Sequence, residues 1–227
     1  MLRRLIGSAV LAASIVATSL PAGADNAPAA AATPDAATAV KNVQDFYDKT
    51  TTFSSDFQQN YLAKAYNQTK TSKGHVVFSK PGKMDWQYSD PQGNRIVSDG
   101  TTLRVYEASN KQMYEQQVGQ SQYPAALSFL TGQGRLDAQC NFTIYPGAQL
   151  QYPGGYVMLC DPKTPTPAYT KILFYVDAGT SQVRRVLILD GQGNRNRFDF
   201  ENPQVNTAVQ PTQFVFTPPP GTSIVKP

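Results

Sequence analysis

Between Val76 and Gly100, apolar and polar residues alternate through successive short runs, which confines this stretch to a sheet with one greasy and one wet side. Period two puts Val76, Phe78 and Lys80 on one face, and Met84, Trp86 and Tyr88 on one face of the next strand. The other side, with His75, Ser79, Asp85 and Gln87, is mostly polar. Lys80 is the exception on the greasy face, and it stands just before Pro81. A curved sheet with such an interior either packs a solid core or holds a hydrophobic ligand.

The same period extends in both directions. Strands are expected at Phe53–Tyr61, Thr71–Ser79, Lys83–Tyr88, Arg95–Ser98, Thr102–Glu107 and Lys111–Val118. After a break, hairpins are expected at Asp137–Tyr145 with Gly155–Asp161 and at Thr170–Val176 with Gln182–Asp190. Arg195–Phe200 and Thr212–Phe216 complete the sheet of about eleven strands, and Pro218-Pro219-Pro220 ends it. Two helices interrupt the pattern. Asp35 opens the first, whose Ala36, Ala39, Val40, Val43, Phe46 and Tyr47 form an apolar stripe. Pro124 opens the second, apolar nearly all round through Leu127, Phe129 and Leu130 and stopped by Gly132 and Gly134.

The N-terminus reads as a targeting segment. Met1-Leu2-Arg3-Arg4, an apolar run from Leu5 to Leu20 and Ala22-Gly23-Ala24 predict a signal peptide over residues 1–24. Residues 25–34 read as an Ala/Pro-rich disordered leader, and residues 35–227 are expected to form a single domain. Without Arg3 and Arg4, 18 basic side chains face 16 acidic ones, a near-neutral balance that argues against nucleic acid, which calls for a concentrated basic stripe. The mature chain is expected to be soluble, exported and monomeric.

Cys140 and Cys160 are the only cysteines. In an exported chain such a pair most often forms a disulfide, here across a hairpin whose two strands set the cysteines opposite one another; two buried free thiols are the alternative. Two cysteines and one histidine do not make a zinc site. His75 has no nucleophile or metal motif around it and reads as a solvent-facing strand residue. Asp85 and Asp90 read as turn or surface groups, and Gly191-Gln192-Gly193-Asn194 as a hairpin turn. No catalytic residue, metal or cofactor is expected.

Binding fits better than catalysis. Phe57, Phe78, Trp86, Tyr88, Tyr106, Phe174, Phe198 and Phe200 fall on alternating positions and would line one large surface. The two apolar helices would then lie over it as a lid. Lys80 either snorkels at its strand end or binds carbonyl groups of that lid.

The run Val77-Phe78-Ser79-Lys80-Pro81 to Trp86, the Val97-Ser98-Asp99-Gly100 turn and Leu103-Arg104-Val105-Tyr106 resemble a known family. So do the Pro124 helix, the closing Phe214-Val215-Phe216-Thr217-Pro218-Pro219-Pro220-Gly221 and the opening Thr52-Phe53-Ser54-Ser55-Asp56-Phe57-Gln58-Gln59. Together they resemble the LolA-type periplasmic carriers of lipoproteins. The resemblance implies a mainly β fold with an α lid: an open, incomplete antiparallel barrel of about eleven strands over a hydrophobic cavity closed by short helices. It implies acyl-chain contacts for the aromatic positions above and for Met84, Leu127, Phe129 and Leu130. Lys80 falls where the family has an arginine that latches the lid helices, and Met84 where it has an aromatic.

In function, the resemblance implies a carrier that shields lipoprotein acyl chains. It would take them from an inner-membrane ABC transporter and yield them to an outer-membrane receptor. The alternatives are a half-barrel sensor of lipid or envelope stress and a carrier of another amphiphile such as a glycolipid.

Overall fold

In the computed structural model, which describes residues 33–118 and 134–226, twelve strands join edge to edge in one unclosed sheet. The first six are β1 (Thr52–Ala63), β2 (Gln68–Ser79), β3 (Lys83–Asp90), β4 (Gln92–Asp99), β5 (Thr102–Glu107) and β6 (Gln112–Gln117). The rest are β7 (Cys140–Pro146), β8 (Gly155–Pro162), β9 (Lys171–Asp177), β10 (Val183–Leu189), β11 (Arg195–Val205) and β12 (Ser223–Val225). Their spatial order is β12-β6-β5-β4-β3-β2-β1-β11-β10-β9-β8-β7. The chain thus lays down one meander, jumps to the far edge, and works back until β11 pairs with β1. Every neighbouring pair is antiparallel except β12 with β6.

Helix α1 (Ala36–Asp48) covers the inner face of this sheet. Asp35 caps it, accepting from the Thr38 amide at 2.9 Å and from the Thr38 hydroxyl at 2.7 Å. Ala39, Val43 and Tyr47 face the core, at the expected three-and-four spacing. The Asp99-Gly100 turn forms as expected: Asp99 Oδ1 accepts from the amides of Thr101 and Thr102, and Gly100 takes a left-handed φ of 99°. Residues 191–194 are a hairpin turn, tied by Asp190 to the amides of Gln192 and Asn194.

Three expectations need correction. Residues 212–216 are not a strand: Pro211–Phe214 is a short 3-10 turn, and the chain beyond the proline run adds β12 to the sheet. Pro211 lacks an amide for a ladder, and the segment instead lies across the outer face, where Phe214 is buried. Residue 137 is not in a strand either. It belongs to a short helix, α2 (Leu136–Gln139), anchored by the buried Leu136 amide donating to Gln44 Oε1 at 2.9 Å. Finally, Cys140 and Cys160 are not directly opposite. Phe142 faces Cys160 and Cys140 faces Pro162, so the cysteines are diagonal neighbours on one face. They are bonded to each other, with Cα atoms 5.2 Å apart, a separation that suits a disulfide. The helix expected after Pro124 lies outside the described residues.

Candidate functional site

Cross-strand register decides which side chains share the inner face. One row runs Ser55, Val76, Trp86, Ile96 and Val105; the next toward α1 includes Phe53, Phe78 and Met84. Phe57 sits beside Gly74 and Tyr88 on the other side of the Trp86 row. Phe198, Phe200 and Phe174 enter from β11 and β9.

These aromatics gather around the single tryptophan, Phe57 and Phe78 edge to face with it and Phe198 at a tilt. The Trp86 ring centroid lies 4.9 Å from Phe57, 5.2 Å from Phe198 and 5.7 Å from Phe78. Phe57 also contacts Tyr88 at 5.1 Å, and the Tyr88 hydroxyl donates to Gln59 Oε1 at 3.0 Å. Phe142 approaches Phe174 at 6.3 Å. The cluster closes under α1 with Met84, Val43 and Ala39.

Lys80 sits where β2 ends beneath this helix. Its ammonium donates to the backbone carbonyl of Tyr47, and its own amide donates to the Thr51 carbonyl at 2.9 Å. Burial lowers the Lys80 pKa, with Asp48 partly opposing the shift. Tyr47 is a second tie. Its hydroxyl accepts from the Val183 amide at 3.1 Å, and burial raises its own pKa. One residue of the helix end thus holds β2 through its carbonyl and β10 through its side chain.

Tyr106 does not join the other aromatics. It pairs with Arg95 and Met113, which places it on the outer face beside Phe216, 5.4 Å away. Alternation gives the parity of a strand but not which parity faces in. Leu127, Phe129 and Leu130 lie outside the described residues. Sequence reasoning passed over Phe53, although it shares parity with Phe57, and gave Tyr47 no role beyond its apolar stripe.

The outer face holds a further surprise. Asp85 is no surface group: it is 0% exposed, bonded to Arg95 by two contacts of 2.8 and 3.0 Å, and it accepts from Gln87 and Gln213 as well. Arg95 in turn stacks on Phe216 and donates to the Gln213 carbonyl. A buried carboxylate with a full set of donors clamps the C-terminal segment onto the sheet. His75 is half-exposed and pairs with Asp56 at 2.8 Å; that bond is the main reason the Asp56 carboxyl is held below its usual range.

Two openings border the inner face. A groove of about 660 Å³ lies between α1 and the β7 edge, lined by Val40, Gln44, Arg135, Asp137, Cys140 and Phe142 among others. A smaller cavity of about 220 Å³ lies past Tyr88, where Gln59, Tyr61, Lys70 and Ser72 meet Ile96 and Val105. Among the described residues, no cluster of His, Cys, Asp and Glu could hold a metal.

An unclosed sheet with an aromatic inner face, a helix across it and polar groups at its rim defines a carrier-type binding fold. The model of the family "Outer membrane lipoprotein carrier protein LolA" matches residues 48–217, and the chain belongs to this family. The outer-membrane lipoprotein carrier protein of Cupriavidus necator is 30% identical over 70% of this chain and 72% of its own. That of Cupriavidus pinatubonensis is 27% identical and covers 100% of both chains. An uncharacterised conserved protein of Thermus thermophilus shares the fold, with a TM-score of 0.52, 11% identity, and coverage of 85% of this chain and 99% of its own. The family is one of carriers, not enzymes.

Proposed function

We propose that this protein is a periplasmic carrier that shields lipoprotein acyl chains between the two membranes of the envelope. In this reading residues 1–24 direct export and are removed, residues 25–34 are a leader, and residues 35–227 form the carrier. It takes its cargo from an inner-membrane ABC transporter and yields it to an outer-membrane receptor.

The observation that carries the reading is the aromatic inner face lying under a helix that Lys80 holds at its last turn. Each buried acyl methylene contributes ~0.8 kcal/mol, so a fully lined cavity would retain its cargo too well for handover. Contacts made only by the empty protein counter that. The ring cluster around Trp86 and the Lys80–Tyr47 bond favour the unloaded state, and loading gives them up. Affinity is thereby held in a range that permits release.

Mass spectrometry of material copurifying with the protein from periplasm tests this. Triacylated or diacylated peptides should be enriched over free phospholipid. Copurification of glycolipid alone, or of nothing acylated, would refute it.

A further inference from the structure

Trp86 is 0% exposed, yet its indole nitrogen has no hydrogen-bond partner among the described residues. Buried donors are nearly always paired, so an unpaired one at the centre of a binding face calls for an explanation. The surrounding Phe57, Phe198 and Phe78 rings offer only the weak N–H···π contact. A purely apolar wall for hydrocarbon would be served as well by phenylalanine, which carries no polar atom to bury.

We propose that the Trp86 N–H is a recognition donor for the carbonyl that joins an acyl chain to its head group, whether ester or amide. This deepens the carrier reading and rests on it. The layout of the face fits such a ligand. On one side of the Trp86 row lie Phe53, Phe78 and Met84, an apolar path toward α1 for the chain. On the other side, beyond Phe57, β1 and β2 turn polar at Gln59 and Ser72, where the cavity of about 220 Å³ opens. Gln59 is four residues along β1 from Ser55 in the Trp86 row, a distance of about 13 Å that a head group and its linkage can span. Bare hydrocarbon has no acceptor to offer, so the donor selects acylated molecules.

The test compares a single-chain palmitoyl ester glycerophosphocholine with its hexadecyl ether counterpart, each below its micelle-forming concentration. Their chains match, and only the ester has a carbonyl. Affinities are measured for the natural protein and for Trp86→Phe. The ester-to-ether affinity ratio should fall about fivefold or more in the variant, the range expected for one buried hydrogen bond. The natural protein gives a second reading that needs no variant. Trp86 is its only tryptophan, so a ¹⁵N-labelled sample shows one indole signal, whose proton should lie at lower field with the ester than with the ether. Binding of both probes with an unchanged ratio and equal indole shifts overturns the inference and leaves the carrier reading intact. Binding of neither probe overturns both.

Discussion

The ammonium of Lys80 is bonded to the backbone carbonyl of Tyr47, so a strand end of the sheet grips the last turn of α1 without using any side chain of the helix. Any helix that keeps its backbone in place can be held this way, whatever its sequence.

Loss of this bond should trap cargo. Lys80→Leu removes a charge-assisted hydrogen bond worth roughly 1.5–3 kcal/mol, an upper range for a partly exposed lysine. On the carrier reading proposed above, the unloaded state loses that stabilisation and the loaded state does not. Loading should therefore persist while handover to the receptor drops on the order of tenfold or more. Lys80→Arg should hand over at least as well as the natural protein. A two-step transfer assay scoring loading and handover separately decides the matter; equal handover by Lys80→Leu would reduce the lysine to a surface contact.

The Cys140–Cys160 bond closes a loop over the β7–β8 hairpin. Alkylation after denaturation without reductant should label no thiol. Replacing both cysteines with serine should lower the unfolding free energy by roughly 3 kcal/mol, read from the denaturant midpoint. Two labelled thiols in unreduced protein would contradict the bond.

Asp85 should be among the costliest single positions outside the inner core. Asp85→Ala leaves the partly buried Arg95, stacked on Phe216, without its carboxylate, at a cost of about 3 kcal/mol. Arg95→Ala added to it should cost little more, because the two residues act as a unit. Additive losses in chemical denaturation would show that the pair is uncoupled.

Acid should loosen α1. Asp35 has its carboxyl pKa lowered from 3.8 chiefly by the Thr38 amide bond. A depressed folded value means the cap is fully present above the unfolded pKa and is lost as pH falls through the folded one. Hydrogen-exchange protection at the Ala39 amide should thus hold from neutral pH down to about 5 and decline below 3.8, whereas Asp35→Ala should show the lowered protection at every pH. Protection that is the same in both proteins at pH 6 would remove the cap from the account of helix stability.

The inner face was largely legible because strands report their own parity. Phe57, Phe78, Met84, Trp86 and Tyr88 emerge from alternation alone, and α1 from its stripe. Tyr106 was not, because its face depends on how β5 registers with β4, which a turn sets. Phe214 and Phe216 alternate like a strand, yet they cover the outer face. Nothing local separates a strand from a strap with the same period. Asp85 was illegible for a related reason: its burial comes from Gln213 and Phe216, far along the chain. The diagonal placement of the cysteines reflects the true loop of the hairpin, which pairs Pro146 with Tyr156.

β1, one of the first elements in the chain, has its flank completed only by β11, with Ser55 reaching the Glu201 carbonyl across 146 positions. The middle of the sheet is therefore a seam that can close only once β11 is made, with β12 at the edge alone still to come. Half the hydrogen-bonding edge of β1 stays unsatisfied until nearly the whole polypeptide has emerged from whatever delivers it, a long interval in which an aromatic strand is open to the wrong neighbour. Until then the Phe53 and Phe57 side of β1 has a sheet partner on one flank only, and the strand on its other flank is among the last the chain supplies.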